Sequence, residues 1–95
     1  MQFANKATED IWDGVDSKFA RRTLPPQLHG VARRRLFAIN AATRLADLGF
    51  PPGNRLEALT GERQGQHSIR INDQYRVCFR LKDGGCTEVE IVDYH

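Results

Sequence analysis

The stretch 67-HSIRINDQYRVCFRLKDGGCTEVEIVDYH-95 decides the fold. Apolar side chains alternate along it: Ile69 and Ile71, then Tyr75, Val77, Phe79 and Leu81, then Val89 and Ile91. A period of two marks strands with one buried face. Asn72-Asp73-Gln74 and Asp83-Gly84-Gly85 are turn signals. Three antiparallel strands are therefore predicted.

Register follows from the same pattern, because a one-residue slip sends every side chain to the other face. A two-residue loop at Asp83-Gly84 would set Phe79 against Glu88 and Val77 against Glu90. A three-residue loop, Asp83 to Gly85, pairs Phe79 with Val89 and Val77 with Ile91, and so keeps one face apolar. The second register is preferred. It puts Cys78 opposite Glu90 and far from Cys86, which argues against a disulfide. It also sets Glu88 opposite Arg80 as a weak surface ion pair.

At the other turn, Ile71 pairs with Tyr75 and Ile69 with Val77. Arg70 then lies directly opposite Arg76. Like charges in that position are destabilising, and a local inconsistency of this kind points to a functional site. Two guanidiniums side by side offer planar forks of donors to a phosphate. Glu90 is the one nearby carboxylate for both. Tyr94 falls diagonally across from Arg76 on the same polar face. His95 follows it, and histidine is the side chain best suited to proton transfer near neutral pH. Asp93 has the parity of the apolar face, so it is expected to orient or cap.

The first half reads as helix. In 8-TEDIWDGVDSKFARR-22, Thr8 is a candidate N-cap, with acidic residues after it and Arg21 and Arg22 near the end. Gly14 weakens that helix. Residues 1–7 could form a short strand. From Leu28 to Leu48, apolar residues recur at helical spacing through Leu36, Ile39, Ala42 and Ala46. Gly49, Pro51, Pro52 and Gly53 end that pattern. The predicted class is α+β, with helices packed on one face of a small antiparallel sheet. Trp12 and Phe19 are read as core, His67 as rim, and His29 is given no role.

The chain has 95 residues, 40% apolar and 27% charged, which suits one folded domain spanning 1–95. No apolar run is long enough to cross a membrane. The start, MQFANKATEDIW, lacks the pattern of a signal peptide. Two cysteines without an export signal fit a reducing cytoplasm. They form no CxxC motif and no cysteine–histidine cluster, so neither metal nor cofactor is expected. The net charge is +2, but residues 1–54 hold eight lysines and arginines against five acidic residues. Lys18, Arg21, Arg22, Arg33, Arg34 and Arg35 carry the excess, which suits a polyanionic partner.

The stretch from "NRLEAL" through Gly61, Arg63 and Gly65 to "SIRINDQYRVCF" and "EIVDYH" resembles the HigB branch of the RelE-type toxins. These are the killer proteins of type II toxin–antitoxin modules. The resemblance implies a microbial-ribonuclease-like fold, with two helices on one face of the sheet. It implies metal-free cleavage of mRNA at the ribosomal A site, hence an endoribonuclease, and neutralisation by a helix-turn-helix antitoxin resembling HigA. It implies contact with operator DNA only through that antitoxin. Carried over by position, the site is Arg70, Arg76, Asp93, Tyr94 and His95. Where several relatives have a histidine and, three residues later, a lysine, Glu57 and Thr60 stand here. A base from that loop would be Glu57, or the role moves elsewhere, and Arg63 could supply the missing charge. Relatives resembling ParE poison DNA gyrase instead, so a non-catalytic poison, or an inactive antitoxin-binding protein, is the alternative expectation.

Overall fold

A computed structural model describes residues 1–94. The element order is α1 (Lys6–Asp13), α2 (Lys18–Thr23), α3 (His29–Ala41), then strands β1 (Glu57–Ala58), β2 (His67–Arg70), β3 (Tyr75–Lys82) and β4 (Gly85–Asp93). The strands form one antiparallel sheet in the order β1-β2-β3-β4. The α+β class holds. One strand more than expected is present, because the "NRLEAL" stretch supplies the two-residue β1.

Three helices form where two were expected. Gly14 takes a left-handed backbone, φ 75°, which a glycine adopts without steric cost, and its N–H caps α1 on the carbonyls of Asp10 and Ile11. Ser17 then starts α2 by accepting from the Ala20 N–H at 3.0 Å. The N-cap of α1 is Asn5, not Thr8: the Asn5 side chain accepts from the Thr8 N–H at 2.9 Å. Thr8 is buried, and its hydroxyl accepts from the Ile91 N–H of β4 at 3.1 Å.

The helix predicted from Leu28 to Leu48 stops at Ala41. Beyond it, the Asp47 carboxylate accepts from the backbone N–H groups of Thr43 and Arg44, each at 3.2 Å. Such side-chain-to-backbone bonds compete with helix continuation. A 3-10 turn, Leu45–Gly49, follows and leaves Ala46 exposed. His29 serves the fold: its Nε2 donates to the Leu24 carbonyl at 2.8 Å and ties α3 to the end of α2.

The core lies between the helices and one face of the sheet. Ile11, Leu24, Ala32, Leu36 and Ile39 meet Ile69, Val77, Phe79, Val89 and Ile91, all buried. Burying each large side chain contributes about 1.5–3 kcal/mol. Trp12 packs against this cluster as expected, whereas Phe19 points outward and is 55% exposed.

Both candidate hairpin registers occur, in different halves of one hairpin. Near the tip Lys82 pairs with Gly85, so the loop is the two-residue Asp83-Gly84. Further in, Val77 pairs with Ile91 and Cys78 with Glu90, as the apolar pattern demanded. A bulge between reconciles them. Glu88 takes φ 55° there, and the extra residue moves the alternation by one step.

The outer edge of β4 is bonded to the first residues of the chain. Gln2 donates to Cys86 O at 2.9 Å and accepts from Val89 N–H at 3.0 Å, and Ala4 donates to Val89 O at 2.9 Å. Phe3 thus bridges Val89 in parallel, which is less than the strand considered for residues 1–7.

Candidate active site

The polar face of the sheet carries the site. Arg70 pairs with Arg76, Ser68 with Cys78 and Ile69 with Val77, the register read from the sequence. Alternation puts Ser68, Arg70, Arg76, Cys78, Glu90 and Tyr94 on the face away from the core.

Arg76 is the centre of this face and is 7% exposed. Its Nε donates to Ser68 Oγ at 2.7 Å, and Nη2 donates to Ser68 O at 3.4 Å and to the Arg55 carbonyl. Its Nη1 lies 3.8 Å from Glu57 Oε1. The guanidinium carbon sits 5.6 Å from the ring centroid of Tyr94, a cation–π contact of the expected diagonal kind. Arg55 reaches this position with a left-handed backbone, φ 47°. The segment before it is fixed by the buried Asn54, whose amide donates to Leu48 O at 3.2 Å and Phe50 O at 3.3 Å.

The guanidinium of Arg70 takes a different set of partners. It forms an ion pair with Asp73 in the turn. The Arg70 backbone carbonyl accepts from Arg35 Nε of α3 at 2.9 Å. Glu90 pairs with Arg63 at 3.2 Å rather than serving Arg70 and Arg76. Arg63 also donates to Gln66 Oε1 at 3.1 Å. The physical reason is loop 59–66, which folds over the polar face and brings Arg63 to Glu90. Cys78 is fully buried there, and burial pushes its thiol pKa up.

Tyr94 is half-exposed, and its N–H donates to Gln74 O at 2.6 Å. Asp93 lies opposite Tyr75 and accepts from Gln74 Nε2 at 3.0 Å. Arg63, Val92, Asp93 and Tyr94 line a cleft of 320 Å³. A larger cleft of 590 Å³ lies at the β3–β4 hairpin tip, against residues 42–45. It holds none of the candidate residues. His95 lies outside the described residues. Among the described residues, no group of three or more His, Cys, Asp or Glu is placed to hold a metal.

The remaining basic candidates belong to the helix layer. Arg21 pairs with Asp16 at 3.2 Å, and Arg33 donates to Ile11 O at 3.2 Å. These two, like Arg35, spend donors on the fold itself. Arg22 and Arg34 are exposed. Arg80 is 2.6 Å from Glu88 Oε2, the expected pair, although the bulge makes Thr87 its formal partner across the strands. That bond holds the Glu88 carboxyl below its usual range. His67 is half-buried, with its ring 6.5 Å from that of Phe79. Ser68 was missed in the sequence. The signal was there: in this register it is the small polar residue diagonal to Arg76.

A family model described as "RelE-like toxin of type II toxin-antitoxin system HigB" matches residues 1–95. The chain belongs to the HigB-like toxin family. It is 38% identical over 84 residues to Toxin HigB-1 of Vibrio cholerae, covering 88% of this chain and 85% of that one. It is also 37% identical over 60 residues to an uncharacterized protein of Haemophilus influenzae, covering 63% and 59% of the two chains. The four-stranded antiparallel sheet with its helices is the RelE-like arrangement. As a HigB-like toxin, the protein has a toxin's role in a type II system and an antitoxin for a partner.

Proposed function

We propose that this toxin is a ribosome-dependent endoribonuclease that cuts mRNA in the A site. The observation that supports it most is Arg76, a guanidinium buried in the polar face, in cation–π contact with Tyr94 and set 3.8 Å from Glu57. Cleavage within RNA needs a base, an acid and cations for the phosphorane. Glu57 takes the proton of a ribose 2′-hydroxyl. The oxygen attacks the adjacent phosphorus, and the bond to the 5′-oxygen breaks. His95 protonates that leaving oxygen. The products are a 2′,3′-cyclic phosphate and a free 5′-hydroxyl. Arg76 and Arg70 neutralise the phosphate, Tyr94 stacks on a nucleotide, and Asp93 supports His95. No metal ion takes part in this scheme.

Arg63, Arg22 and Arg34 would meet ribosomal RNA, with binding that weakens as salt rises. The toxin would act in the cytoplasm, where ribosomes are. Its antitoxin would be a HigA-like helix-turn-helix protein, through which the pair reaches operator DNA.

The test is to map cleaved ends on translating ribosomes for the native chain, Arg76→Ala and a chain lacking His95. Cyclic-phosphate ends from the native chain, strongly reduced in both variants, support the reading. Uncut message, or native-rate cutting by both folded variants, removes it.

A further inference from the structure

Ser68 holds two donors of Arg76, a contact that none of the roles above uses. It is fully buried on the polar face of the sheet. The hydroxyl accepts Arg76 Nε at 2.7 Å, and the carbonyl of the same residue accepts Nη2 at 3.4 Å. The Arg55 carbonyl accepts from Nη2 as well. A guanidinium is a rigid plane with donors in fixed directions. Two of its three nitrogens are therefore committed to Ser68 and Arg55, and the plane cannot turn without breaking those bonds. The remaining nitrogen, Nη1, is the one facing Glu57.

We propose that Ser68 is a positioning residue, which locks Arg76 so that Nη1 points to the phosphate beside Glu57. The inference rests on the ribonuclease reading. A donor aimed in advance at developing charge needs no reorganisation when the reaction occurs. Without the hydroxyl, the Arg76 Nε–H would be a buried donor lacking its acceptor, a costly state that the side chain relieves by turning. Ser68 touches no substrate in this scheme and acts only through Arg76.

The experiment measures single-turnover message cleavage on ribosomes with Ser68→Ala and the nearly isosteric Ser68→Cys, each alone and in an Arg76→Ala background. In the native background the rate at saturation falls about tenfold, and the half-saturating concentration moves by less than about twofold. In the Arg76→Ala background neither change costs anything further, because nothing remains to be held. Equal losses in both backgrounds would mean that Ser68 only supports the fold. An unchanged rate in folded single variants would also overturn the proposal.

NMR of the arginine Nε–H groups gives a readout without cleavage. The Arg76 signal is expected to be slow in solvent exchange in the native chain and fast in Ser68→Ala. A signal that stays slow overturns the lock. A native chain that cuts no message overturns the ribonuclease reading instead, and the NMR result still decides whether Ser68 holds Arg76.

Discussion

Val77, Phe79 and Ile91 on one face of the sheet pack against Ile11, Leu36 and Ile39. One residue away along the same strands, Arg76 and Glu90 sit among hydrogen bonds and ion pairs. Contacts on the first face have no direction. Their strength follows the area removed from water, and a side chain of similar volume serves nearly as well. Contacts on the second face are directional. Removing one partner there leaves a charge or a donor behind, so the loss exceeds the value of the bond itself. The helix side thus supplies stability in bulk, and the open side spends part of it on arrangement.

The comparison can be broken most forcefully on the apolar side. Leu36→Ala should lower unfolding free energy by about 2–5 kcal/mol in denaturant titration, while the cleavage rate per folded molecule holds. A large loss of rate per folded molecule would show that the two faces are not separable. On the polar side, Arg76→Ala should cut message cleavage about 100- to 1000-fold, the range for losing a donor aimed at developing charge. A smaller effect would move the phosphate site elsewhere on the sheet.

Arg55→Gly tests the strained loop beneath Arg76. The left-handed backbone at φ 47° suits glycine, so the variant should gain up to about 1 kcal/mol in thermal unfolding. A loss would mean that the Arg55 side chain contributes more than its backbone costs.

The smallest effect is an acid-range one in the helix layer. The Ser17 hydroxyl, 2.6 Å from Asp10, and then Lys6, 3.0 Å away, hold the Asp10 carboxyl below its ordinary 3.8. A depressed folded value adds stability that is complete above the unfolded value and disappears as pH falls through the folded one. Asp10→Asn should therefore flatten the decline of stability below about pH 4. An acid-unfolding curve identical to the native one would remove Asp10 from that role.

Residues 67–79 could be read well because both strand register and apolar face rest on one period. The Arg70–Arg76 opposition and the Tyr94 diagonal followed directly. The hairpin tip could not be read so. Each candidate register satisfied half the strand, and only a bulge at Glu88 accommodates both. The helix ends were hidden for another reason. Asn5, Ser17 and Asp47 act through one or two short-range side-chain-to-backbone bonds each, which compete on nearly equal terms with neighbouring options. Glu90's partner was misread because Arg63 comes from loop 59–66, and no periodicity says where such a loop folds back.

The bonds from Gln2 and Ala4 to Cys86 and Val89 hem the sheet like a selvedge. An unhemmed strand offers its free N–H and C=O groups to any passing chain. Trimming residues 1–4 would bare that margin and also strip Met1 and Phe3 from the core's border. Self-association, visible as a concentration-dependent rise in light scattering, is the expected consequence.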